Sequence, residues 1–172
     1  MKKTVLEAKE SIEGAFHGKS EAMFVSAWDY DDDGISEKRK DDILEQLLTA
    51  AENNNVPQMK SILSLQPTLI KASDADGYTA LHRAAYSNSV DCVNFLISAG
   101  ASLDARTKDG WTPLHSACNW ACYESVGILL SNGADVNSCS NGKLTPLHLA
   151  INAQKPLERT CTTVYYLLQA PG

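Results

Sequence analysis

Three of the four histidines, His82, His115 and His148, fall 33 residues apart. Equally spaced imidazoles invite a zinc site, since neutral imidazole is a common zinc ligand. Each one, however, closes the same local string: Thr79-Ala80-Leu81-His82, Thr112-Pro113-Leu114-His115 and Thr145-Pro146-Leu147-His148. A string recurring at that interval means a recurring structural unit. Equivalent residues of stacked helices lie about 8–10 Å apart, whereas zinc needs every ligand atom within about 2.0–2.3 Å. The spacing therefore gives the histidines a structural task.

Other constellations fail for equally physical reasons. His115, Cys118 and Cys122 sit at i, i+3 and i+7 and would share one helix face. Cys118 nevertheless takes the place of a packing alanine, the helix is expected to end before Cys122, and no fourth ligand is near. Asp29, Asp31, Asp33 and Gly34 open like an EF-hand loop. Ile35 then follows Gly34 one place early, and Lys40 stands where a bidentate glutamate is needed. There is no Gly-x-Ser-x-Gly elbow and no glycine-rich phosphate loop. The reading is of a chain that is not an enzyme, with no catalytic residue, metal or cofactor.

What must be positioned, then, is a surface. The chain has 172 residues, 44% of them hydrophobic, enough to bury a core. Its net charge of -6 disfavours direct nucleic-acid binding. The longest apolar runs, such as Val164 to Leu168, are far short of the ~20 residues a membrane helix needs. Met1-Lys2-Lys3 leads into charged residues and not into an apolar run, so no secretory signal is read. Five cysteines, an odd number, point to reduced thiols and an intracellular compartment.

Each 33-residue unit reads as turn, helix, helix, loop. Asp76-Gly77 and Asp109-Gly110 are tight-turn dipeptides, because glycine accepts positive φ. Threonine caps the next helix, and proline suits its first position. Small residues follow, Ala84-Ala85 or Ala117-Cys118, and let helices approach closely. A second helix carries Val93 to Ile97 or Val126 to Leu130, and Gly100 or Gly133 stops it. One unit cannot bury its apolar side alone; stacked units can.

The strings DGYTALHRAA, DGWTPLHSAC and GKLTPLHLAI, with GASLDA and GADVNS between them, resemble the ankyrin repeat. The resemblance covers about residues 43–172 and implies an all-α solenoid of helix-turn-helix units with hairpin-like loops. The expected division is a flexible acidic tail over 1–40, mostly disordered, a capping repeat over 41–75, and repeats over 76–108, 109–141 and 142–172. In the last unit, Gly142 and Lys143 replace the Asp-Gly turn, and about five extra residues, around Asn152 to Thr162, are expected to form a loop between its helices. The final helix then has no unit to cover it, so the chain is read as shorter than its relatives. Ala121 falls where ankyrin units carry glycine, and a reshaped turn is expected there.

The resemblance also implies that each histidine bonds within its own turn and to the neighbouring loop. It places partner contacts on the turn tips and the first helices, which form a concave face. Carried over, these positions are Tyr78, Arg83, Tyr86 and Ser87; Lys108, Trp111, Ser116, Asn119 and Trp120; and Lys143, Leu144, Leu149 and Asn152. Two tryptophans, two tyrosines and an arginine match the composition of binding hot spots. The plainer alternative is that Trp111 and Trp120 only pack over neighbouring units. Trp28, beside an acidic run, has the pattern of a short linear motif that orders on a partner; the alternative is a solvated linker with Trp28 packed on the cap. The block from Asp76 to Leu149 resembles one group within the family. That implies a monomeric adaptor, nuclear and/or cytoplasmic, that binds another protein and takes part in transcription regulation. A DNA-associated transcription factor and a metal-regulated scaffold are the alternatives.

Overall fold

The Thr-x-Leu-His strings do start helices. A computed structural model of the chain describes the backbone from Asp32 and the side chains from Asp42, both as far as Pro171. Of the tail expected over residues 1–40, residues 1–31, with Trp28 and the EF-hand-like aspartates Asp29 and Asp31, lie outside the described residues, whereas 32–40 are helical and not disordered. Among the described residues, eight α-helices form four consecutive pairs: α1 (Asp32–Glu52) with α2 (Val56–Leu65), α3 (Ala80–Tyr86) with α4 (Val90–Ser98), α5 (Pro113–Asn119) with α6 (Tyr123–Ser131), and α7 (Pro146–Asn152) with α8 (Leu157–Gln169). A short 3-10 helix (Pro67–Lys71) follows α2, and no named strand occurs among the described residues. The fold is the all-α ankyrin array.

The core is one cluster that runs from Leu47 to Leu167. Ala84, Ala85, Ala117, Cys118 and Ala150 are fully buried, so the first helices α3, α5 and α7 meet through small side chains. Val93, Leu96, Val126 and Leu129 supply the apolar side of the second helices and are likewise fully buried. Each such valine or leucine contributes about 1.5–3 kcal/mol relative to exposure. The loops interlock as well. The Lys108 N–H donates to the Asp76 carbonyl at 2.9 Å, and one period later the Asn141 N–H donates to Asp109 at 2.9 Å. A β-carbon on Gly77 would come within 2.9 Å of the Thr107 backbone, so glycine is needed there for stacking and for its φ of +86°.

Two local expectations are corrected. The turn at Ala121 is not reshaped. Ala121 adopts φ +50°, beside +54° at Asn54 and +59° at Asn88. Its hydrogen bonds repeat those of the preceding pair: Cys122 N–H to Ala117 O at 2.9 Å mirrors Ser89 N–H to Ala84 O at 2.9 Å. Packing imposes the left-handed backbone at a cost of about 1–2 kcal/mol for alanine. Second, the extra residues of the last unit add only one residue to the link between its helices, which runs over 153–156. They lengthen α8 to 13 residues against 9 in α4 and α6. Pro156 stands at its N-cap position without a capping bond, and Glu158 lies in its first turn, where a negative charge is favourable. Tyr165 and Leu168 on this helix are 60% and 67% exposed.

Candidate functional site

The histidines position the surface. The Thr79 N–H donates to His82 Nδ1 at 3.2 Å, which makes Nδ1 an acceptor and leaves the ring proton on Nε2. Nε2 lies 3.0 Å from the Trp111 carbonyl of the next unit and donates to it. His115 repeats the pattern, with Thr112 N–H at 3.2 Å and the Leu144 carbonyl at 3.0 Å. His148 receives the Thr145 N–H at 3.2 Å and is itself exposed. Burial holds the His82 ring down to about 4, although its bond to Trp111 opposes the shift; burial likewise lowers His115. Both stay neutral at physiological pH. Cys118 is buried and its thiol is pushed up by burial, while the Cys122 thiol donates to the Tyr86 carbonyl at 3.1 Å. Among the described residues, no three His, Cys, Asp or Glu come together as metal ligands.

The His82–Trp111 bond holds the loop that bears Trp111 against α3. Beside it opens a groove of about 330 Å³ lined by Asp74, Asp76, Tyr78, Arg83, Tyr86, Trp111, Ser116 and Trp120. Six residues expected from the sequence thus meet in one place: Tyr78, Arg83, Tyr86, Trp111, Ser116 and Trp120. Lys108, Asn119 and Leu144 are not in its lining. Lys108 instead reaches Asp76 at 3.6 Å, and Leu144 uses its carbonyl to receive His115. Ser116 and Leu149, both expected on the surface, are buried, at 1% and 6% exposure, because this helix position packs into the core in the second and third units.

Arg83 organises one wall. Its Nη2 donates to Asp74 at 2.8 Å, and its Nη1 reaches Glu52 at 3.4 Å and the Tyr86 hydroxyl at 3.3 Å. It therefore ties the end of α1, the hairpin and α3 together. Asp74 Oδ1 in turn accepts the N–H groups of Asp76 at 3.0 Å and Tyr78 at 2.9 Å. Burial would raise the Asp74 carboxyl, but the hydrogen bonds from Arg83, Tyr78 and Asp76 outweigh it and hold it below the usual range. The two tryptophans differ. Trp111 is half-buried and packs on the core, whereas Trp120 is 46% exposed. Trp120 lies 6.2 Å from the Tyr86 ring centroid, and Lys155 Nζ sits 4.0 Å over its own ring. Sequence reasoning missed Asp74 and Asp76 as groove residues. The signal was an Asp-x-Asp-Gly turn nine residues before an arginine on the same wall.

A second repeating device was also missed. Asn54 Oδ1 accepts the Cys92 N–H at 3.1 Å, and Asn54 Nδ2 donates to Asp91 at 2.9 Å. Asn88 does the same one unit on: its Oδ1 accepts from Ser125 N at 3.3 Å and Ser125 Oγ at 3.1 Å, and its Nδ2 donates to Glu124. Each asparagine staples its turn to the second helix of the following pair. Ala121 has no side chain that can do so.

This geometry agrees with the comparisons. The chain matches the model of ankyrin repeats (3 copies) over residues 47–140, more than half its length, and it belongs to the ankyrin-repeat family. Such repeats generally mediate protein–protein interaction and are typically non-enzymatic. The chain is 44% identical over 100 residues to ankyrin repeat domain-containing protein 49 of Drosophila melanogaster, covering 56% of this chain and 46% of that protein. It is 47% identical over 61 residues to the Homo sapiens protein of that name, covering 36% and 26%, and 47% identical over 70 residues to that of Bos taurus, covering 41% and 29%. The matched region spans less than half the length of these relatives. No helix among the described residues is long and apolar enough to cross a membrane.

Proposed function

We propose that the chain is an adaptor that recognises one partner protein through the groove between the α3 and α5 units, with no chemistry of its own. The observation that carries this is the grouping of four aromatic rings, two of them indoles, in a single open groove. Rigid amphipathic rings that keep exposed area in the free chain are the usual anchors of protein interfaces. Lys108, Asn119 and Leu144 belong to the rim of the same surface in this reading, and Trp28 to a second contact made by the tail. The division into tail (1–40), cap (41–75) and three repeats (76–108, 109–141, 142–172) is part of the proposal. So are a monomeric state, a nuclear and/or cytoplasmic location and a role in transcription regulation; these last rest on the resemblance of the 76–149 block.

The test is affinity purification with mass spectrometry, comparing the full chain with a Trp111→Ala, Trp120→Ala double variant. The expected result is a partner captured by the first and lost by the second, with the helical circular dichroism of both alike. Retention of every captured protein by the well-folded double variant rejects the reading.

A further inference from the structure

Resting on that reading of the groove, we propose that its occupant is a basic side chain, arginine or lysine, presented by an extended segment of the partner. Charge is the first argument. Asp74 and Asp76 line the groove, Glu52 borders it through Arg83, and Arg83 is the one cation in the lining. That guanidinium is already committed to Asp74 and Glu52. Asp76 pairs, among the described residues, with Lys108 alone, 3.6 Å away with both side chains mostly exposed, and such pairs contribute little. Burial, then the carboxylates of Asp109, Asp74 and Asp76, raise the Tyr78 phenol, which reports the same negative field. An incoming carboxylate would meet these groups with no uncommitted cation in the lining to receive it.

The rings supply the second argument. Tyr78, Tyr86, Trp111 and Trp120 line the walls, and an indole face attracts a cation. Trp120 already demonstrates this within the chain, with the Lys155 ammonium 4.0 Å from its ring centroid. A planar guanidinium stacks on such rings while its edges hydrogen-bond.

The third argument is independent of both. Ser116, on the groove wall, is 1% exposed, and its Oγ has no hydrogen-bond partner among the described residues. The Arg83 Nε–H is buried and unpartnered too. A buried polar atom left unpaired is costly in the free chain. The Ser116 hydroxyl can accept or donate, whereas the Arg83 Nε–H only donates. Once side-chain motion in the groove wall uncovers them, an extended basic segment pairs both: its side-chain N–H donates to Ser116 Oγ, and a backbone carbonyl accepts from Arg83 Nε.

The test titrates the full chain with capped octapeptide pools that are random except at one central position, fixed as arginine, lysine, citrulline or glutamate. The indole N–H resonances of Trp111 and Trp120 report binding. Arginine and lysine pools are expected to shift both indoles and to bind about tenfold tighter than citrulline, the neutral isostere of arginine. Ser116→Ala is expected to raise the melting temperature of the free chain, because it removes the unpaired hydroxyl, yet to weaken the arginine pool several-fold. Asp76→Asn, at an exposed turn, is expected to weaken it likewise without changing circular dichroism. Equal indole shifts from citrulline and arginine, or tightest binding by the glutamate pool, overturn this inference and leave the groove as a protein-binding site. Silence of both indoles toward every pool overturns the groove reading as well.

Discussion

At the scale of single residues, the histidines are the most tightly specified side chains in the array. His82 is fully buried, accepts a backbone N–H at Nδ1 and donates from Nε2 to the next unit. Protonation would set a second N–H against the Thr79 N–H, and would bury a charge. Unfolded, the ring takes a proton near 6.5; folded, only near 4. Between those values the unfolded chain binds more protons. Stability is therefore full above about pH 6.5, falls through that window and stops responding to this group below about pH 4. The His82 share of the loss is about 2 kcal/mol at pH 5 relative to pH 7. His115, lowered in the same direction, adds to it. Urea unfolding at the two pH values should show the drop. His82→Gln, less stable at pH 7, should show a smaller one; an unchanged pH slope in that variant would refute the assignment.

At the scale of elements, the asparagine staple adds a side-chain coupling between one helix pair and the next, beside the shared core and the loop bonds. Asn88→Ala loses the bonds to Ser125 and Glu124 and leaves a non-glycine residue without a local partner at φ +59°. The expected destabilisation is about 2 kcal/mol, from about 1 for the backbone and about 1 for the hydrogen bonds. Asn88→Gly, which keeps the backbone free, should lose about half of that. Chemical denaturation of the three chains measures both, and equal stability of the alanine and glycine variants would show that the backbone term is absent. The helices themselves were legible in the sequence because their ends are dictated locally: a threonine caps, a glycine stops, and a histidine stands three residues after the threonine. The staple was not, since it joins residues 36–38 apart, and an asparagine at a turn is already explained by its own φ. The groove was half legible for a like reason. Its rings occupy positions where the repeat pattern allows any side chain, so their number stood out. Asp74 and Ser116 gain their meaning only from what lies across from them. The length of α8 is not legible because its added residues follow no repeat pattern, and only the helix preference of Leu157-Glu158-Arg159 hints at it.

At the scale of the whole array, stability is a sum over units and the interfaces between neighbours. The interfaces are not equal. The first two junctions carry Asn54 and Asn88, whereas at the third Ala121 offers only a methyl, and Trp120 with Lys155 takes over as an exposed cation–π contact. Such a contact gives about 0.5–1 kcal/mol, whereas each staple combines two or more hydrogen bonds. The α7–α8 pair should therefore open before its neighbours. Native-state hydrogen exchange is expected to give its amides lower protection than those of α3 to α6, and uniform protection across the four pairs would contradict the unequal junctions. The same gradient locates a bound partner. A ligand in the groove touches α3, α5 and their loops, so it should slow exchange there in proportion to its occupancy. It should leave α7 and α8 near their free-state rates, because a ligand bound to the central units adds nothing to the weak junction beyond them. Equal slowing in α7–α8 would mean that the array opens as one cooperative block and that the third junction is as strong as the stapled ones.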